Sequence, residues 1–165
     1  MTPWAQRSRE ERALLNPAFC ASLLWHAARG HADTGSDALS FDESFLILPF
    51  VLHRNTRDAL PRDTRTSLAV WLNDTPLARG RIVSRSRLLV EFTKEGVMFG
   101  GVHGLVRLEE GRIYADMIWK RSVMRALKES SDEVRECARR AEFVGKWFAL
   151  AGSAPTVLAL MGVRP

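Results

Sequence analysis

The sequence has few of the residues that mark a disulfide framework or a metal site. Its 165 residues include two cysteines, Cys20 and Cys137, which are far apart and form no C-x-x-C pair. This usage predicts free thiols in a reducing compartment. The four histidines form no H-E-x-x-H motif and have no cysteine at zinc spacing. We therefore expect no bound metal and interpret each histidine as a packing or helix-end residue.

The sequence also lacks the motifs of nucleotide hydrolysis and of covalent catalysis. The glycine-rich stretch VMFGGVHG has no lysine in the position that a G-x-x-x-x-G-K-[ST] phosphate loop requires. No serine lies in a G-x-S-x-G elbow, and Cys20 is predicted on an apolar helix face, where thiols are usually inert. We expect no cofactor and no enzymatic activity, and we interpret the glycines as sites where a helix and a hairpin approach closely.

The longest apolar run, KWFALAGSAPTVLALMGVRP, is too interrupted to cross a membrane. A spanning helix needs about 20 consecutive apolar residues, and Gly152, Ser153, Pro155 and Thr156 divide this run. The pattern predicts a helix end, a turn and a short second helix. The N-terminal stretch has no apolar segment typical of a secretory signal. These features predict a cytoplasmic protein without membrane contact.

The overall composition is that of an ordinary globular protein, with 46% hydrophobic and 26% charged residues. A chain of this length fits a single domain over 1–165. The net charge of +5 and the isoelectric point near 9.9 permit contact with nucleic acid or with an acidic protein surface.

The first half of the chain contains two clear helix starts. Asn16 is predicted to cap a helix that has Pro17 at its first position and ends at Gly30. Ser40 and Glu43 form a capping box for FDESFLILPFVLH. We favour a helix for this run, in which Pro49 introduces a kink, although its short apolar core also fits a buried strand.

Residues 63–115 have the order of a winged helix. Asp63 or Thr64 is predicted to cap the first helix, Pro76 to open the second and Thr93 to cap the third, which is KEGVMFGGVHG. Alternating stretches around Glu109-Glu110-Gly111 then predict a β-hairpin. The predicted fold class is therefore mainly α, a helical domain with a winged-helix-like unit of three helices and a hairpin.

The last part of the chain, 131–165, is predicted to be a C-terminal helix with an apolar tail. Ser131 caps DEVRECARRAEFVGKWFAL, whose apolar residues share one face, and the preceding DMIWKRSVMRALKESS has partial helical character. We expect Trp147 and Phe148 to anchor this helix on the core. The apolar residues of the tail are expected to fold back beside them.

Several stretches, taken in order, resemble the middle component of bacterial three-component ABC systems, a family that includes the small subunit of Lamassu-type anti-phage defence. The resemblance covers nearly the whole chain, and the order and spacing of its pieces carry it. These pieces are Asn16-Pro17-Ala18, LPFVLH with Thr56-Arg57 and Leu60-Pro61, Ser67 to Leu72 with Trp71, His103-Gly104-Leu105, Gly145 with Trp147-Phe148, and the terminal Gly162-Val163-Arg164-Pro165.

The resemblance implies a non-enzymatic adaptor that works beside an SMC-like or Rad50-like ABC ATPase and an effector, often a nuclease. ATP hydrolysis and DNA cleavage would then belong to those partners. The resemblance transfers no functional residues, so our candidates for partner binding come from this sequence alone. They are His53, Arg54, Arg57, Trp147, Val163, Arg164 and Pro165.

Phosphate contact is a second possible role for the surface, and its candidates are Arg79, Arg81, Arg85 and Arg87. The alternative function is a winged-helix DNA-binding regulator. The predicted recognition helix argues against it, because Lys94 to Gly104 contains one lysine, no arginine and mostly apolar or glycine residues. We therefore expect DNA contact to be indirect or non-specific. The missing catalytic motifs argue most strongly against a third alternative, an independent hydrolase or nuclease.

Overall fold

The computed structural model describes residues 6–8, 12, 15–35 and 38–163. The described part is mainly helical, as predicted. Its elements, in chain order, are α1 (Pro17–Ala32), β1 (Leu39–Ser40), α2 (Phe41–Val51), α3 (Arg54–Asp58), α4 (Leu68–Asp74), α5 (Pro76–Val102), β2 (Val106–Glu109), β3 (Arg112–Ala115), a 3-10 helix (Met117–Trp119), α6 (Lys120–Lys128), α7 (Asp132–Ala151) and α8 (Ala154–Met161).

Helix α1 lies at the centre of the fold and packs against both α5 and α7. Its start is as predicted: Asn16 accepts a hydrogen bond from the backbone N–H of Ala18 (2.8 Å), and Pro17 is the first helical residue. The predicted end is wrong, because the helix continues through Gly30 to Ala32. A Cβ atom on Gly30 would lie 2.2 Å from the carbonyl oxygen of Glu142. Gly30 therefore allows close packing of α1 on α7 instead of stopping the helix.

The apolar run after Ser40 forms a helix, as we favoured, and not a buried strand. The predicted capping box is present, with Ser40 and Glu43 each accepting a backbone hydrogen bond of the first turn. Pro49 lies inside α2, close to its C-terminal end at Val51. The cost of the missing proline N–H is offset by burial, since the helix is buried from Leu46 to Val51.

The predicted three-helix order within 63–115 is wrong. Helix α4 begins after Ser67, which caps it, and the next helix, α5, runs for 27 residues from Pro76 to Val102. Thr93, predicted as a cap, is a buried residue in the middle of that helix. Two helices therefore precede the hairpin where three were expected, and Lys94 to Val102 is not a separate recognition helix.

The β-hairpin is where the sequence predicted it. Strands β2 and β3 pair antiparallel with Glu109 opposite Arg112, and the two turn residues, Glu110 and Gly111, have φ of 49° and 72°. Positive φ at both positions is typical of the tight hairpin turn whose twist matches that of the strands. The two-residue β1 adds an unpredicted third strand, which gives the sheet order β1-β3-β2.

Helices α7 and α8 form the predicted C-terminal unit and close the core. Ser131 caps α7, and its predicted apolar stripe is buried apart from the half-buried Val134. The chain bends by 104° between α7 and α8, and Val157, Leu158 and Met161 of α8 are buried. The apolar tail thus covers this protein's own core, as expected. The organisation of 1–165 as a single domain stays a prediction.

Candidate protein-interaction surfaces

Two of the predicted partner-binding residues, Trp147 and Arg57, are buried, so neither can contact a partner directly. Trp147 is 1% exposed, its ring packs on those of Phe50 and Trp71, and its Nε1 donates to the carbonyl oxygen of Thr66 (2.7 Å). Trp147 thus anchors the core, which was the other role expected of it. Its assignment to a binding surface is wrong.

Arg57 is 1% exposed although arginine is usually a surface residue. Its guanidinium donates to the carbonyl oxygen of Val51 (2.7 Å), contacts Cys137 Sγ (3.3 Å) and pairs with Glu133. These contacts tie α3 to the end of α2 and the start of α7. Arg57 is therefore a structural residue, and its assignment to partner binding is wrong.

His53 and Arg54 lie at the start of α3, next to α5. The Nδ1 atom of His53 accepts a hydrogen bond from the backbone N–H of Thr56 (3.2 Å), which caps α3. Arg54 is exposed and lies 3.6 Å from Asp58, one helical turn later. Such exposed pairs contribute little to stability. His53 thus has a local structural role, while Arg54 is available at the surface.

The four arginines predicted for phosphate contact do not share one face. Helix α5 turns about 100° per residue, so Arg81 and Arg85, four residues apart, lie on one side, where Arg85 contacts α3. Arg87 lines a groove on another side. Arg79 lies two turns before Arg87, on the same side as the groove. The set therefore divides into two pairs on different sides of α5, and its contact with phosphate stays a prediction.

Arg85 is held in place by α3. Its Nη1 donates to Thr56 Oγ1 (3.1 Å). Burial, and after it the neighbouring Arg81 guanidinium, holds the pKa of Arg85 below its usual range. The pKa of His53 is lowered by burial and then by Arg85, Arg81 and Arg57. Within the described part of the chain, no carboxylate forms an ion pair with Arg81 or Arg85, so this side of α5 has an uncompensated positive charge.

Two large apolar side chains accompany these arginines on the outer face of α5. Leu77 and Leu88 are each 75% exposed. Together with Arg81, Ser84 and Arg85 they follow helical spacing along one face, and we call these five residues the outer stripe. Our sequence reasoning singled out only the arginines. The signal for the leucines was present, because positions 77 and 88 fall opposite the buried Ile82 and Ser86 on the helical wheel.

The groove beside Arg87 lies between α2, α5 and α8. It has a volume of about 540 Å³, and its walls include Phe45, Val83, Leu158 and Val163. Val163 is thus half-buried and its backbone N–H donates to the carbonyl oxygen of Leu158 (3.0 Å). Arg164 and Pro165, the other predicted residues of the tail, lie outside the described residues.

A second exposed region, which we did not predict, extends from Met117 to Lys128. Ile118 is 81% exposed and Trp119 is 42% exposed. Trp119 lies beside Gly104, just beyond the C-terminal end of α5. Helix α6 follows, and none of its nine residues is buried. Its four cations form no ion pair with the carboxylates that the structure describes; they are Lys120, Arg121, Arg125 and Lys128.

The described residues contain no group of three or more histidine, cysteine or carboxylate side chains that could hold a metal ion. The histidines lie in different surroundings: His26 is buried in α1, whereas His103 stacks on Phe99 with ring centroids 4.1 Å apart. No helix in the described part is by itself long and apolar enough to span a bilayer, and α7 and α8 reach that length and composition only jointly, across their bend.

The fold and these surfaces define a mainly helical protein whose most distinctive exposed features are cations without acidic partners and large apolar side chains. The chain belongs to the family described as ABC-three component (ABC-3C) system Middle Component 3, whose model matches residues 4–165. No curated protein and no solved structure shows significant similarity to it. The expected membership of the middle components of three-component ABC systems is thereby confirmed, and a role within such a system follows from it.

Proposed function

We propose that this protein is a non-enzymatic adaptor that bridges an SMC-like or Rad50-like ABC ATPase and an effector, and that the complex serves bacterial anti-phage defence of the Lamassu type. The family supplies the setting, since a middle component works with an ABC ATPase and a further component. The effector in this proposal is a nuclease. The adaptor keeps it inactive until the ATPase meets foreign DNA.

The observation that carries the bridging role is the presence of two separate exposed surfaces. The outer stripe lies in the first half of α5, whereas Trp119 lies beyond the last residue of that helix. At 1.5 Å per residue, Leu88 and Val102 are separated by about 21 Å along the helix axis. Both surfaces combine large apolar side chains with unpaired cations, and such a combination is typical of protein interfaces. Two partners can therefore engage the chain simultaneously.

The proposal assigns ATP hydrolysis and DNA cleavage to the partners. The isolated protein is expected neither to hydrolyse ATP nor to cut DNA. Turnover that co-purifies with the chain and disappears when one of its acidic or histidine residues is replaced would contradict this assignment.

The proposal is tested by expressing the chain with the ATPase and the effector encoded beside it. We expect the ATPase and the effector to co-purify when the chain is present and to separate when it is omitted. Efficient co-purification of the two in its absence would refute the bridging role. A preference of about a thousandfold for one DNA sequence over random duplex would instead support the regulator.

A further inference from the structure

The outer stripe has the length and the spacing of a helix-docking site. Leu77, Arg81, Ser84 and Leu88 recur at intervals of four, three and four residues, so they form one continuous line on the exposed face of α5. The two leucines are about 16 Å apart along the axis. Three turns of helix therefore present an apolar contact at each end and guanidinium groups between them.

We propose that the outer stripe binds an acidic amphipathic helix of a partner protein. Apolar residues of that helix would cover Leu77 and Leu88, and carboxylates between them would pair with Arg81 and Arg85. Arginine suits this role because its planar guanidinium binds carboxylate through two parallel hydrogen bonds. The inference rests on the proposed function only in taking the ATPase or the effector as the source of the helix.

The state of Arg85 favours such a site. Its contact with Thr56 Oγ1 fixes part of the side chain before any partner arrives, which reduces the entropy lost on binding. Arg57, whose charge also acts on His53, is already paired with Glu133. Arg81 and Arg85 form no such pair with a described carboxylate, and the two guanidinium groups, one helical turn apart, repel each other. A partner carboxylate would relieve that repulsion.

The leucines distinguish a protein partner from nucleic acid. Duplex DNA would present phosphates to Arg81 and Arg85 but no apolar surface to Leu77 and Leu88, which would remain in contact with water or with charge. A partner helix covers both kinds of side chain simultaneously. Binding of DNA would therefore bury no apolar surface of the stripe, whereas binding of a protein helix would bury both leucines.

A second copy of this chain does not fit the stripe. A two-fold interface would place the stripe against itself, and residues 75–90 contain four arginines and no acidic residue. Arginine would then face arginine across the contact. The occupant must have negative charge that this part of the chain cannot supply.

The test measures the affinity of the full chain for the purified ATPase and effector from the neighbouring genes. We compare L77A/L88A, R81E/R85E and R121E/R125E, the last of which makes the same charge change on α6. We expect the first two variants to weaken binding of one and the same partner by at least about 30-fold, the factor of an interface hot spot. The α6 variant should leave that partner's affinity unchanged.

Thermal melting keeps folding and binding separate. Leu77 and Leu88 are exposed, so L77A/L88A should have the melting temperature of the wild type. If R81E/R85E melts at a lower temperature, the binding result of L77A/L88A decides the test. Wild-type affinity in L77A/L88A overturns the inference while the proposed function stands. A wild-type chain that binds neither purified partner overturns both. Equal weakening by R81E/R85E and R121E/R125E indicates general electrostatic attraction and also overturns the docking site.

A cross-link identifies the occupant. A photoreactive p-benzoylphenylalanine in place of Ser84 lies at the centre of the stripe, and its cross-linked peptide can be sequenced by mass spectrometry. The inference expects an acidic segment of the partner with apolar residues at helical spacing. A basic or non-helical segment, a peptide of a second copy, or a cross-link to duplex DNA or to phosphatidylglycerol vesicles in preference to protein would each overturn it.

Discussion

Replacement of Gly145 by alanine tests the central helix contact of the fold. A Cβ atom at position 145 would lie 2.0 Å from the carbonyl oxygen of Ala27 and 2.8 Å from its carbonyl carbon. Contacts of a Cβ atom below 3.0 Å essentially do not occur, so α7 would have to move about 1 Å away from α1. Both atoms belong to the helix backbone, and no side-chain rotation can relieve the clash.

The expected cost combines two opposite effects. Overpacking in a core typically costs about 1–3 kcal/mol and occasionally more. Because the added methyl group would meet helix backbone, which cannot rotate away, we expect a cost near the upper end of this range. Alanine regains about 1 kcal/mol over glycine through its helix propensity. We therefore expect a net loss of about 2 kcal/mol, which corresponds to a decrease in melting temperature of about 4–8 °C for a chain of this size.

Gly80 provides the matched control, because a Cβ atom there would have nothing within 4 Å. The same glycine-to-alanine change inside α5 should stabilise the protein by up to about 1 kcal/mol. Urea unfolding followed by circular dichroism at 222 nm measures both variants, with the slope checked for constancy. A G145A protein as stable as the wild type would refute the close contact between α1 and α7.

The other predictions concern single buried side chains. Burial, and then the charge of Arg29, lowers the pKa of His26 to about 4 from 6.5. Protonation of His26 therefore favours the unfolded chain. The free energy of unfolding should have its full value above pH 6.5 and decrease by about 3 kcal/mol towards pH 4. His26→Leu should remove this dependence, whereas an unchanged pH profile of unfolding would contradict it. Burial raises the pKa of Cys20 to about 12 and also raises that of Cys137, so neither thiol should react with iodoacetamide until the protein unfolds. Trp147→Ala should cost about 3–5 kcal/mol in a denaturant melt; a cost below 1 kcal/mol would mean that the ring is not core.

Local signals in the sequence were sufficient for several of the helix starts and for the hairpin. Asn16, Ser40 and Ser131 each accept a backbone hydrogen bond in the first turn of the helix they precede, and that interaction involves only residues two or three positions apart. The hairpin likewise depends on two adjacent residues, Glu110 and Gly111. A pattern confined to a few neighbouring residues can be recognised without knowledge of the fold.

The errors arose where a distant contact overrides a local preference. Thr93 resembles a cap, yet Gly96 and Gly100 just after it lie against Cys20 and Val106, so packing keeps α5 continuous through this segment. Gly30 resembles a stop, but its obligatory neighbour is Glu142, 112 residues later in the chain. A single sequence without known contacts contains no sign of either pairing.

The candidate surfaces were only partly predictable for a related reason. Arg57 and Arg85 are indistinguishable by residue type, and only the fold places one against Val51 and Glu133 and the other on the surface of α5. For these arginines the choice between core and surface therefore depends on tertiary structure. The leucines of the outer stripe, in contrast, follow the predicted helix start at Pro76, so the helical periodicity was sufficient to place them opposite the apolar face.

The distribution of ion pairs explains why the unpaired basic residues are concentrated in two segments of the chain. On α7, Arg135 and Arg139 pair with carboxylates three residues earlier, so the sequence of that helix compensates its own charge. Residues 79–87 and 120–128 each contain four cations and no acidic residue, so no ion pair within either segment can neutralise them. These two segments together exceed the net charge of +5, so the rest of the chain is net negative. Arg81 and Arg85 of the first segment lie beside the exposed Leu77 and Leu88, and the second segment follows the exposed Ile118 and Trp119. An acidic partner is therefore drawn to surfaces on which it also finds apolar contacts.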